Sequence, residues 1–143
     1  MDVWPGDRIA EAVAQARHAD YAASAELTCQ VQRGQRLTSE PLYSAAYCHA
    51  VRGWWELVSA QIDHEALEAA HAVRRVRARA RHYLTGEPAA LRPGSLFDHA
   101  LAHASRAAAR QFLAASGELL TAAEQPDTEV DHIDHEQQAE ENE

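Results

Sequence analysis

Five arginines, Arg74, Arg75, Arg77, Arg79 and Arg81, fall within nine residues, and His82 follows them. A guanidinium is always charged and presents a planar fork of donors that matches carboxylates and phosphates. At helical spacing Arg74, Arg77 and Arg81 lie to one side of the apolar stripe Val73–Val76–Ala80, and Arg75, Arg79 and His82 to the other. Such a helix suits an acidic protein surface or another polyanion. A solvated amphipathic helix with cations toward its C-terminus, where the helix dipole favours them, accounts for the same pattern. Trp54 and Trp55 are neighbours in sequence, so on a helix they point about 100° apart. A bundle core takes one of them and leaves the other for an interface, where tryptophan is enriched. The expected partner-binding surface therefore combines Trp54 or Trp55 with Arg74, Arg75, Arg77, Arg79 and Arg81.

The nine histidines raise the question of a metal. His64, Glu68 and His71 stand at i, i+4 and i+7, on one face of a continuous helix. Glu68-Ala-Ala-His71 has the Glu-x-x-His spacing of four-helix di-iron proteins, but those need two such motifs and further inward glutamates. This face also lies opposite the Ile62–Ala69–Val76 stripe, toward solvent. These three residues are the metal candidates, and no metal or other cofactor is expected. His99 and His103 have i, i+4 spacing but continue into Arg106 and Arg110, poor neighbours for a cation. His49, among Ala46, Tyr47 and Val51, reads as a hydrogen-bonded core histidine.

Absences narrow the chemistry further. The chain has no lysine, which removes phosphate-loop, Schiff-base and kinase-type lysine chemistry. It has no Gly-x-Ser-x-Gly elbow and no dinucleotide fingerprint. The sequence points away from an enzyme.

The elements that must position these residues are helices. Alanine dominates the apolar fraction of 46%, beside two Phe and one Met. Alanine favours helix but buries little area, so the core should be thin and association with another chain favoured. A first helix runs from an Asp7 cap to Gly34, with the stripe Ile9, Val13, Ala16, Asp20, Ala23 and Leu27 interrupted by the aspartate. A second helical region opens near Ser39 and stops at Gly86. Uninterrupted, it would be a rod of about 70 Å, so a break at 61–64 is expected, with Asp63 as the new cap. Its second half then carries Ile62, Ala66, Ala69, Val73, Val76, Ala80 and Tyr83. The last helix starts at a Ser95–Asp98 capping box, carries Leu101, Ala104, Ala108, Phe112, Ala115 and Leu119, and stops at Pro126. The expected fold is an all-α antiparallel bundle of three to four long helices.

Charge divides the chain into a helical domain, 1–123, and an acidic tail, 124–143. All thirteen arginines lie in the first part with thirteen of the 22 acidic residues, so that part is neutral and the net charge of −9 belongs to the tail. With Val130 and Ile133 as its only larger aliphatics, the tail is expected to be disordered. Cys29 and Cys48 are expected as reduced packing residues in a cytosolic protein, since no leader and no membrane-length apolar run is present. The leading reading is a homodimeric helical interaction or regulatory protein that binds a protein partner, its tail competing for the arginines. The alternative is a nucleic-acid binder blocked by its tail, and behind it a metal-binding bundle.

Overall fold

The computed structural model describes residues 6–65, 67–86 and 95–141, and in the last helix the side chains of 97–122. The fold is all-α. Four helices follow in order, α1 (Gly6–Gln32), α2 (Ser39–Glu65), α3 (Ala69–Thr85) and α4 (Leu96–Glu141), with no strand among the described residues. No helix of these residues is long and apolar enough to cross a membrane. Successive helices run antiparallel. Helix α2 is the hub, packing against each of the other three, while α4 packs on α2 and α3.

Local signals set the ends. Helix α1 closes as expected at Gly34, whose φ of +69° is a left-handed conformation that glycine adopts without strain. Gly34 N–H donates to Val31 O at 3.1 Å and Gln35 N–H to Gln30 O at 3.0 Å, the paired bonds of a Schellman cap. Helix α4 opens on Ser95, whose Oγ accepts the Asp98 N–H at 3.2 Å. Its backbone continues past Pro126, where the sequence predicts a stop. The tail's expected disorder concerns residues 124–143, whose side chains lie outside those described.

The break between α2 and α3 comes later than the sequence predicts. Helix α2 continues to Glu65, so Asp63 lies in its last turn rather than capping the next helix. Glu68 is the N-cap of α3, extended at φ −61° and ψ 147°, with no side-chain cap bond. The reason is packing. Ile62, one turn beyond the fully buried Val58, reaches the core from α2, and Leu67 reaches it from beyond the break. A break at 61–64 would withdraw Ile62, and burying an aliphatic side chain is worth about 1.5–3 kcal/mol, more than a single cap.

The core is as thin as alanine implies. Ile9, Val13 and Ala16 of α1 meet Trp55 and Val58 of α2, Ala72, Val73, Val76 and Ala80 of α3, and Phe112 of α4. The expected α1 stripe is buried from Ile9 through Val13 and Ala16 to Asp20, and half-buried at Ala23 and Leu27. On α4 the expected stripe is buried at Ala104, Ala108 and Phe112, with Ala115 and Leu119 packed against the core; Leu101 alone is exposed, and Ala100, Ala109 and Ser116 widen the buried face. Phe112 is the largest fully buried side chain. Its ring lies edge-on to Trp55 at 5.0 Å and stacks on Trp54 at 5.9 Å. Deleting it leaves a void that two indoles cannot collapse into. Phe112→Ala is expected to cost about 3–5 kcal/mol, read as a lower midpoint in urea unfolding followed by helical circular dichroism.

Candidate functional site

Helix α3 carries two different sets of arginines. Its apolar face, Ala72, Val73, Val76 and Ala80, is closed against α2 and α4. Arg77 turns toward α4, where its Nη1 donates to Leu113 O and, at 2.7 Å, to Ser116 Oγ. Gly117 leaves room for it, since a Cβ there would lie 3.2 Å from Arg77 Nη1. Burial, and then repulsion from Arg81, hold this guanidinium below the ordinary arginine value. Arg77 is thus a structural joint between α3 and α4, and it leaves the expected binding surface.

The other arginines stay outside. Arg75 Nη1 donates to Glu65 Oε2 at 2.6 Å across the α2–α3 break, an exposed pair. Arg74, Arg79 and Arg81 are exposed, and neither Arg79 nor Arg81 forms an ion pair with a described residue. Arg79 precedes Tyr83 by one turn, and Tyr83 is 42% exposed. The Tyr83 ring meets Trp54 edge-on at 6.1 Å. Trp54 is half-buried between Tyr83 and Phe112, whereas Trp55 is only 4% exposed. The tryptophan pair splits as its angular separation requires, and Trp55 is removed as a surface anchor because Phe112 needs it in the core. One strip of surface therefore runs Arg75, Arg79, Tyr83 and the edge of Trp54.

The metal candidates do not share a face. His64 ends α2, Glu68 caps α3 and His71 lies on α3, so the break separates what a continuous helix would align. Among the described residues no group of three His, Cys, Asp or Glu side chains is placed to hold a metal ion.

A second polar constellation joins α1 to α2, and the sequence hinted at it only through the aspartate in an apolar stripe. Buried Asp20 accepts from Arg52 Nη1 at 3.0 Å and His49 Nδ1 at 3.3 Å through one oxygen, and Ser24 Oγ lies 3.5 Å from the other. Arg52 Nε and Arg17 Nε both donate to Glu56 Oε1, at 3.0 and 2.8 Å. His49 is hydrogen-bonded as expected but is not a core residue, its side chain being 79% exposed. Hydrogen bonds first from Arg17 and then from Arg52 hold the Glu56 carboxyl below its ordinary value. The Cys48 thiol is pushed up by burial and by the Asp20 charge, partly offset by a hydrogen bond with Ser44. Cys29 and Cys48 are both free thiols. The four charges balance, so this cluster reads as an electrostatic weld between helices rather than an open site.

Comparison with protein families, with curated proteins and with solved structures finds no match. Function is therefore read from this geometry.

Two outcomes test the assignment of roles. Arg77→Ala removes charged hydrogen bonds to α4 and should lower unfolding free energy by about 1–3 kcal/mol, while Arg79→Ala and Arg81→Ala should each stay within about 0.5 kcal/mol; urea denaturation reads all three. Because Glu56's folded value is depressed, its contribution is complete above its unfolded value and disappears as pH falls through the folded one. Glu56→Gln should therefore flatten the loss of stability below about pH 4.3, seen in thermal midpoints across an acid titration.

Proposed function

We propose that this chain is a small helical protein-interaction module, acting as a homodimer, which docks an acidic protein partner on the outer face of α3. The observation that carries the reading is the strip of Arg79, Tyr83 and the Trp54 edge, with Arg81 on the same helix. Tyrosine, tryptophan and arginine are the residue types that dominate binding hot spots. The strip is preorganised, because the inner face of α3 is fully buried and Arg77 anchors the helix to α4. Rigid side-chain platforms lose less entropy on binding. Arg75, already paired with Glu65, marks the N-terminal end of the strip.

A carboxylate-bearing protein segment is favoured over nucleic acid because residues 1–123 have no net charge, whereas nucleic-acid binders draw most of their affinity from overall positive potential. The nine acidic residues from Glu124 to Glu143 make the chain's own tail a competitor for the same arginines. The thin core and the exposed Tyr21, Val31 and Leu37 favour self-association.

The test uses a full-length variant in which the nine acidic residues from Glu124 to Glu143 are changed to Gln or Asn, so that the tethered tail no longer competes; it is titrated into a labelled synthetic peptide of the native residues 124–143, and into labelled DNA and RNA, each at low and high salt. The peptide should bind, weaken with salt, and lose about tenfold or more in affinity to the double variant Arg79→Gln, Arg81→Gln, the worth of one charged hydrogen bond. Sedimentation equilibrium should give twice the chain mass. Tight, steeply salt-dependent DNA or RNA binding without peptide binding would replace this reading with the nucleic-acid one. Binding of neither probe would reject the α3 surface altogether.

A further inference from the structure

Away from the arginine strip, a groove opens between the first half of α2 and the first half of α4. Its origin is a difference in length. Helix α3 has 17 residues to the 27 of α2, about 25 Å against about 40 Å. It ends at the level of Arg106, whose Nη2 donates to Leu84 O at 2.9 Å. Beyond that level α2 and α4 face each other without α3. On the α4 side Ala100 and Ala107, with their short side chains, leave space between the helices, while His99, His103, Arg110 and Gln111 also line it. Two cavities of about 550 and about 470 Å³ adjoin there, sharing Tyr43, Ala107 and Arg110. Both are wide-mouthed surface depressions rather than enclosed cavities, with volumes that overlap the range of small-molecule sites, about 300–1,000 Å³.

The groove's chemistry is uneven in a way that selects a ligand. Ala100 and Ala107 give a flat apolar floor. Tyr43 and Tyr47 form one wall, their rings nearly parallel at 9° and 6.1 Å apart. Arg110 is exposed at the centre, and it forms no ion pair with a described residue. His99 and His103 line the same cavity, and the one acidic side chain there, Glu40, sits in the first turn of α2. The positive end of that helix already favours its carboxylate. A planar ring therefore meets tyrosine faces and a flat floor, and an anion attached to it meets a guanidinium.

We infer that this groove binds a small aromatic carboxylate, the ring lying against Tyr43 over Ala107 and the carboxylate held by the fork of Arg110, with His103 as a second donor. Offset stacking and a charged hydrogen bond each act where the other cannot, so both halves of the ligand are required.

The experiment is titration of isotopically labelled full-length protein with 2-naphthoate, with the neutral 2-naphthalenemethanol and with the non-aromatic cyclohexanecarboxylate, read by amide chemical shifts. Saturating shifts with 2-naphthoate should cluster at Tyr43, Tyr47, Ala107 and Arg110, and each control should bind about tenfold more weakly or worse. Arg110→Gln, a change at an exposed position, should weaken 2-naphthoate by about the same factor. Ala107→Leu fills the floor and should abolish the shifts. Absence of saturation at millimolar 2-naphthoate, shifts centred elsewhere, equal binding of either control, or indifference to both substitutions would each overturn the assignment.

Discussion

Phe112 is the side chain on which the rest of this bundle depends. It is held between the stacked face of Trp54 and the edge of Trp55, at the level where α2, α3 and α4 converge. Most of the other buried positions are alanine or valine, and small side chains contribute little area each. Three aromatic rings therefore carry a disproportionate share of the apolar burial. They also fix which way the tryptophans face. Trp55 is committed to the core, and half-buried Trp54 keeps an outer edge that meets the Tyr83 ring.

Where apolar area is scarce, polar contacts complete the interfaces. Asp20, Arg52, Glu56 and Arg17 join α1 to α2, and Arg77 joins α3 to α4 through a carbonyl and a serine hydroxyl. A buried carboxylate is tolerated only with partners, and Asp20 has an arginine and a histidine. The arrangement is specific rather than simply strong, because each partner must stand at a given turn of its helix. Gln61 is the exception. Its buried Oε1 has no hydrogen-bond partner among the described residues, at a cost of about 1–3 kcal/mol.

These joints separate the surface into regions with different chemistry. The outer face of α3 is cationic with an aromatic edge. The α2–α4 groove is a shallow depression lined by two alanines, two tyrosines and one guanidinium. They share no lining residue, so a substitution in one leaves the other intact. The length of α3 bears on both features, since its buried stripe presents the arginines and, among the described residues, its early end leaves α2 and α4 facing each other along the groove.

Several of these features are legible without coordinates. The α1 stripe from Ile9 to Asp20, the Gly34 stop and the Ser95–Asp98 cap are local, written in side-chain type and helical period, and they reappear unchanged. The all-α class follows from the same information. The break between Glu65 and Ala69 is different, because no glycine or proline marks it and the burial of Ile62 and Leu67 decides it from a distance. So too with the arginines: five guanidiniums look alike along the chain, and whether one is a recognition group or a bond to α4 depends on what the neighbouring helix offers. Gly117 and Ser116 make Arg77 structural. The aspartate in an apolar stripe signals a buried pair, but Arg52 and His49 become its partners only when α2 lies antiparallel at one register. Sequence by itself determined the helices, two of their caps and the segregation of charge, since these depend on residues within a turn or on composition alone. Tertiary structure decided which tryptophan is buried, which arginines face outward and where a groove remains, since each depends on side chains dozens of residues away competing for the same space.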